Sequence, residues 1–252
     1  MIEILRSDDP RIEEFTHLKD RVLHQQNKIV CESEKLFLQF IHTNKPLIKT
    51  LSTYDFAQKY NLNGTNNFWA TKEIIEKVAG FKIHFDVLFL ADKPTDYNLS
   101  NLDDRIVLLN GLTSPENVGS IVRSACAFNI KSIIADEQSC SPYLRRCIRV
   151  SMGNIFSMKT YHSKNIRSDL IKLKNRGYTI ISTANLSSSI DLTSYEFPKR
   201  CALIIGSEGH GIDKDILEAS DVVLKIKIDP QVAHLNAANA ASIFLSHMSC
   251  VQ

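Results

Sequence analysis

CALIIGSEGHGID, residues Cys201–Asp213, decides how this chain is read. Five apolar residues run straight into a loop with glycines at 206, 209 and 211. A short, unbroken apolar run closed by a turn signal is the pattern of a strand buried on both faces, as in a parallel sheet. The glycines let the chain turn sharply and present amide N–H groups to a ligand. The loop lacks the lysine of a P-loop and the spacing of a dinucleotide fingerprint, so both of those readings fail.

The same alternation continues on either side of that strand. Upstream are strand RIVLLN (Arg105–Asn110), a helix over Val118–Phe128, a strand over Ser132–Asp136 and a helix over Pro142–Ser151. Then come a strand over Ile155–Tyr161, a helix over Ser168–Arg176 and a strand over Thr179–Ala184. Downstream lie strand VVLKIKI (Val222–Ile228) and a small-residue helix over Asn236–Met248. This spacing predicts an α/β fold, a mainly parallel sheet covered on both faces, with its ligand crevice beyond the carboxyl ends of the strands.

Ahead of this region, polar DKPTDYNLSNLDD (Asp92–Asp104) reads as a linker. Before it a smaller α/β module is expected, with helical periodicity over Ile12–Leu23 and Glu34–Ile41 and strands over Lys28–Cys31, Leu47–Leu51 and Asp86–Leu90. The expected organisation is therefore residues 1–92, a linker 93–104 and a main domain 105–252.

Composition narrows the class. The 252 residues are 44% apolar and 23% charged, which argues against disorder and coiled coil. No apolar run approaches the roughly 20 residues that cross a bilayer. Acids occupy the place of a signal peptide's apolar stretch, so a soluble cytoplasmic protein is expected. Six cysteines without a CxxC pair or zinc-finger spacing are expected to be reduced, with no metal site. Net charge is only +2, yet nine basic residues lie between Arg145 and Arg176 against one acid, Asp169. That excess is a candidate phosphate-binding surface, with Arg145, Arg146 and Arg149 at its head; solvated helix faces are the alternative.

Three strand-end loops carry the chemistry. In GLTSPENVGSIVRSA, Gly119 allows close backbone approach, and Arg123 near a helix start opposes the helix dipole, which suits a phosphate or carboxylate holder. In the glycine loop, Glu208 is placed to pair with Arg123, while His210 reads as a solvated residue rather than a metal ligand. In IDPQVAHLNAANAASI, Asn236 can cap the alanine-rich helix, and His234 is expected to be structural.

Taken in this order, the loops resemble the SpoU (TrmH-like) family of RNA ribose 2′-O-methyltransferases, within the SPOUT superfamily. The family's first motif is matched at Asn117, Gly119 and Arg123, and its second at Gly206, Glu208 and Gly209. RRCIRVSMGNIF resembles the intervening Arg-x-Ser-x-Gly segment at Arg149, Ser151 and Gly153, and the third motif is matched at Ile228, Pro230, Leu235 and Asn236. The resemblance covers about Arg105–Gln252; CESEKLF from Cys31 more weakly resembles the family's ribosomal-protein-like substrate-binding domain.

The resemblance implies a C-terminal trefoil knot, a homodimer and S-adenosyl-L-methionine as cofactor. It implies catalytic roles for Asn117, Arg123, Glu208 and Asn236. A cofactor site formed by Thr183, Gly206, Ile228, Leu235 and Asn236 is expected, Thr183 resting on its strand-end position and on the family's use of that loop. The RNA partner is rRNA or tRNA, rRNA being favoured by the extra N-terminal module. The third motif departs from the family: Gln231–Ala233 contains no glycine, and His234 stands where the family has serine. A non-catalytic RNA-binding or ribosome-assembly protein is the competing reading. An unrelated doubly wound nucleotide-binding enzyme would need a fingerprint that the sequence lacks.

Overall fold

The computed structural model describes residues 1–16, 23, 25–80 and 82–249. Residues 17–22 and 24, around the helix expected to end at Leu23, lie outside the described residues, as does Cys250; Pro10–Phe15 forms a 3-10 helix. The chain divides into two units. The first comprises Met1–Pro94 with Tyr143–Phe156, and the second Thr95–Pro142 with Ser157–Gln252. Among the described residues no helix is long and apolar enough to cross a membrane.

The first unit is built on a five-stranded mixed sheet. Its strands are β1 (Ile2–Glu3), β2 (Lys28–Glu32), β3 (Leu47–Ser52), β4 (Asn67–Trp69) and β5 (Val87–Asp92), in the order β1-β4-β3-β5-β2. Helices α1 (Glu34–Ile41), α2 (Tyr54–Lys59) and α3 (Lys72–Ala79) complete it. Side chains alternate across the pleat, so Leu88 and Leu90 of β5 join one core with Val30, Leu51, Phe68 and Ile75. Phe89 stacks with Phe37 and Phe40, ring centroids 5.9 and 5.5 Å apart.

Residues 143–156, expected with the main domain, pack instead with this first unit. Phe156 meets the Phe40 ring edge-on at 5.2 Å, and α5 (Arg145–Val150) lies against β2. Gly153 has φ +78°, and a Cβ there would come within 3.0 Å of Leu36 and Gln39. Apolar periodicity marked this stretch for burial, but periodicity does not say against which sheet. Ile155 and Phe156, expected at the head of a strand, lie in a 3-10 turn.

The second unit has seven strands: β6 (Arg105–Asn110), β7 (Ser132–Ala135), β8 (Lys159–His162), β9 (Thr179–Thr183), β10 (Ile190–Asp191), β11 (Cys201–Gly206) and β12 (Val222–Lys225). Their order is β10-β12-β9-β11-β6-β7-β8, and every pairing is parallel. On one face Ile106, Leu108, Ile134 and Ile204 form a core with Leu170 and Leu173 of α6 (Ile166–Asn175). α4 (Pro115–Ala127) and α8 (Ala237–Ser249) pack together, α8 also against β11, and α7 (Lys214–Ala219) packs on β9. From Thr95 on, the stretch expected to be a linker belongs to this unit: Leu102 is buried, Tyr97 N–H donates to the Thr160 carbonyl at 2.8 Å, and the Tyr178 hydroxyl donates to the Asp103 carbonyl at 2.9 Å.

Candidate active site

β11 lies between β6 and β9, with Gly206 in register with Asn110, so the two strands release their loops side by side. Asn110, 1% exposed, ties those loops together. Its amide donates to Asp136 at 2.7 Å and Asp213 at 3.1 Å, and its carbonyl oxygen accepts from Asp213 N–H at 2.9 Å. Asp136 also accepts from the N–H groups of Gly111 and Ser139. Three loops, after β6, β7 and β11, are thus held by one buried polar cluster. Such a cluster fixes geometry because each partner removed leaves another unsatisfied.

Beyond Gly206 the chain forms a tight hairpin, Ser207 and Gly211 exchanging backbone hydrogen bonds at 3.0 and 2.9 Å. Gly211 has φ +70°, and a Cβ on Gly206 would overlap Gly211 and lie 2.6 Å from Ile212 N. Glycine at 206 is therefore a requirement of packing. The hairpin carries Glu208 to the start of α8, where Oε1 accepts from the Asn236 amide and, at 3.2 Å, from Ala237 N–H. Asn236 caps α8, its Oδ1 accepting from Ala238 N–H at 2.9 Å and Asn239 N–H at 3.3 Å. The same Asn236 amide donates to Asn117 Oδ1 at 3.0 Å. Asn117 sits in the first turn of α4, where its N–H bonds the capping Ser114 hydroxyl at 3.4 Å. One asparagine therefore joins three loops far apart in sequence.

Two cavities border this arrangement. The first, of about 390 Å³, has walls from Thr183, Ile205, Ile228, Leu235 and Phe244 and a floor at Gly206. The second, about 430 Å³, is lined by Asn110, Ser114, Asn117 and Gln138. Ser207–Gly211, with Glu208, form a wall common to both. One cavity is mostly apolar, the other polar, and a carboxylate stands between them.

The sequence profile of the SpoU rRNA Methylase family matches residues 104–246, more than half of the chain. The chain belongs to that family. An uncharacterized tRNA/rRNA methyltransferase of Mycobacterium tuberculosis is 26% identical over 259 residues, spanning 96% of this chain and 89% of the relative. An AdoMet-bound rRNA methyltransferase from Sinorhizobium meliloti shares the fold over 98% of this chain and 96% of its own, with a TM-score of 0.87 and 18% identity. A structure described as an RNA 2′-O ribose methyltransferase matches over 98% of both chains, with a TM-score of 0.81 and 20% identity.

Within this SpoU family member, Thr183, Gly206, Ile228 and Leu235 meet at the first cavity. Asn236 does not line it; it sits in the cap between lining residues Leu235 and Ala237. Asn117, Glu208 and Asn236 are bonded together as described, and Arg123 is not with them. It lies on the exposed side of α4, and among the described residues it has no ion-pair partner. The expected Arg123–Glu208 pair is absent; Glu208 Oε1 instead accepts from the Asn236 amide and Ala237 N–H. His234, expected to be structural, is exposed at the first cavity's wall; His210 is exposed too, and no metal-binding cluster exists among the described residues.

The basic stretch is largely neutralised by acids outside it. Arg145 and Arg149 both reach Glu32 in the first unit. Lys159 pairs with Asp103, Arg167 with Asp215 and Lys174 with Asp221, while Arg176 donates to the Ser100 carbonyl oxygen. Arg146 is exposed. Sequence reading missed Asn110, Asp136 and Asp213 in this SpoU unit. The available signal was polar residues placed directly after the apolar runs of β6 and β7.

Proposed function

We propose that the chain transfers a methyl group from S-adenosyl-L-methionine to a ribose 2′-hydroxyl of structured RNA, rRNA in preference to tRNA. The observation that carries this reading is the Asn117–Asn236–Glu208 cluster, placed where an apolar and a polar cavity share a wall. The first cavity fits the cofactor in size, at about the lower end of small-molecule sites, and in chemistry. Its apolar walls suit an adenine, its strand-end backbone supplies donors and acceptors, and the Glu208 carboxylate on its rim attracts a sulfonium. Thr183, Gly206, Ile228 and Leu235 would hold it. When bound, the cofactor supplies an electrophilic methyl group for in-line attack.

The chain's own residues then have separable tasks. The hairpin walls the acceptor off from the cofactor except where the cavities meet. Asn236 keeps Glu208 and the start of α8 in one place, so the wall need not reorganise. Arg123 stays protonated at ordinary pH and is unsuited to act as a base. Its exposed guanidinium instead clamps the phosphate next to the reacting ribose and offsets that phosphate's charge, so the 2′-hydroxyl passes its proton to solvent water as its oxygen takes the methyl group and S-adenosylhomocysteine leaves. Reaching that phosphate requires RNA, or a second copy in the homodimer of this reading, to approach α4. A knotted C-terminus is part of the same reading; the return of residues 228–235 to the cavity that the 206–211 hairpin lines supports it.

Support for a ribose acceptor comes from the solved structure bearing that activity in its description, and for rRNA from the AdoMet-bound neighbour. Calorimetric titration with S-adenosylmethionine, alone and with ribosomal RNA present, tests the first step. Saturable micromolar binding, about −8 kcal/mol, is expected. Methyl-labelled RNA should then resist alkaline cleavage at the modified nucleotide. No cofactor binding under either condition, with RNA still bound, would overturn the reading in favour of a non-catalytic RNA-binding protein.

A further inference from the structure

We propose that His210 and His234 set the charge of the first cavity's wall, so that it distinguishes the sulfonium cofactor from its uncharged thioether product according to pH. This rests on the cofactor part of the reading above and gives both imidazoles a role in ligand discrimination. Among the described residues, the charged or titratable side chains lining the cavity are Glu208, Lys225, His210 and His234. Glu208 and Lys225 carry opposite charges, so the two imidazoles decide the sign of the wall as a whole. α8 brings only Ala237, Ala240 and Phe244 to it. On the far side of the hairpin the second cavity adds Asp213, whose carboxylate accepts from the Asn110 amide at 3.1 Å. Along the segment that carries His234, Lys227 and Asp229 are both exposed and again opposite in sign.

Both histidines are exposed, and among the described residues neither ring has a hydrogen-bond or ion-pair partner. Their backbones, by contrast, are anchored. His210 sits between Gly209 and Gly211 in the hairpin, its N–H donating to the Ser207 hydroxyl at 3.3 Å. His234 lies two residues ahead of Asn236, which caps α8 and bonds Glu208. These contacts keep both residues at the cavity while their rings can take up protons, and imidazole is the side chain that changes charge between about pH 5 and 8. With both rings neutral, the Glu208 carboxylate favours a sulfonium over a thioether. With both protonated, the wall gains two positive charges, which repel the sulfonium and leave the thioether sulfur indifferent. Cofactor and product share their adenine, ribose and amino-acid ends, so comparing them isolates the charge on sulfur. Linkage is reciprocal: a cofactor that disfavours imidazolium must expel protons as it binds.

The test is calorimetric titration of the full-length protein with S-adenosylmethionine and with S-adenosylhomocysteine, at about pH 7.2 and about pH 5.5. S-adenosylmethionine should bind about tenfold more weakly at the lower pH, while S-adenosylhomocysteine should change by less than about twofold. At about pH 6.5, heats in two buffers of different ionisation enthalpy should show protons released with the cofactor and almost none with the product. Salt at about 1 M should shrink the tenfold effect, because charges are then screened beyond about 3 Å. His210→Asn with His234→Asn keeps polar side chains without a titrating ring, and should abolish both the pH dependence and the proton release. That variant should hold S-adenosylhomocysteine as the wild type does, the sign of an intact cavity; the wild-type proton release tests the idea even where it does not. Glu208→Gln should weaken cofactor binding at both pH values and leave their ratio unchanged, which separates the imidazoles from the carboxylate. A pH dependence that survives in the double histidine variant, or one shared equally by both ligands, would overturn the inference while leaving the enzyme reading in place. A protein that binds neither ligand at either pH, with ribosomal RNA present or absent, would defeat the cofactor reading and this inference with it.

Discussion

In the second unit, polar groups at the strand ends hold one another: Asn110 with Asp136 and Asp213, Asn236 with Asn117 and Glu208. In the first, a single buried carboxylate, Glu32, anchors two arginines. The former arrangement is complete before any ligand arrives, which suits a site that must place a small molecule without reorganising. The latter joins α5 to β2 through one ion-pair node, which suits a scaffold, at the cost that removing one member strands the others.

The contrast can be broken most forcefully at Gly206. Gly206→Ala drives a Cβ into the Gly211–Ile212 backbone, and backbone yields less readily than a side chain. A stability loss of about 1–3 kcal/mol is expected from such overpacking, with cofactor affinity reduced by more than about 100-fold if the hairpin moves by the ångström that a precise site cannot absorb. Melting and calorimetry check both. Next in size is Glu32→Gln, which leaves Arg145 without its buried counter-charge. Removing one member of a buried pair costs about 3–5 kcal/mol, and the partial exposure of both arginines brings the expectation to about 2 kcal/mol. Denaturant unfolding measures it; cofactor affinity should hold.

Asn236→Ala should cost about 1 kcal/mol as a missing helix cap and also free Glu208 and Asn117, so turnover should fall more than stability. Asn236→Ser, which keeps a capping oxygen, should recover stability but not turnover. A smaller effect is expected from acid. Burial raises the Asp169 pKa, but hydrogen bonds from Lys172, Ser163 and Tyr161 outweigh it, leaving the carboxyl below its ordinary 3.8. A depressed folded pKa contributes stability above the unfolded value and loses it as pH falls through the folded one. Asp169→Asn should therefore lower the melting temperature at pH 7 and narrow its difference from wild type below about pH 4; a gap that stays constant with pH would count against this account. The smallest effect belongs to His234→Ser. It is an exposed wall residue, and stability should shift by no more than about 0.5 kcal/mol; a melting curve and the cofactor affinity together show whether the imidazole contributes to binding.

The second unit was readable because its strands are continuous apolar runs such as RIVLLN and CALIIG, and burial on both faces leaves little else for them to be. β4 escaped notice because it is three residues long and set among asparagines in NGTNNFWA, too short for any period to register. Motif order brought Asn117, Glu208 and Asn236 to one site, yet the expected Arg123–Glu208 pair did not form. Opposite charge in a sequence says nothing about a competing amide at hydrogen-bond distance. The pairing of the basic run was illegible for a similar reason, since its compensating acids come from other loops.

The excursion of residues 143–156 into the first unit also sets an order of assembly. Residues 1–94 leave the ribosome about 60 residues before Phe156, an interval of about 3–12 s at ordinary synthesis rates. Through that interval Glu32 has neither Arg145 nor Arg149, and Phe40 lacks the ring that later covers it. The first unit therefore waits for the second to begin before its own interior closes. A nascent chain halted between the two would expose an unpaired carboxylate and the face of Phe40 that Phe156 later covers to whatever chaperone is nearest.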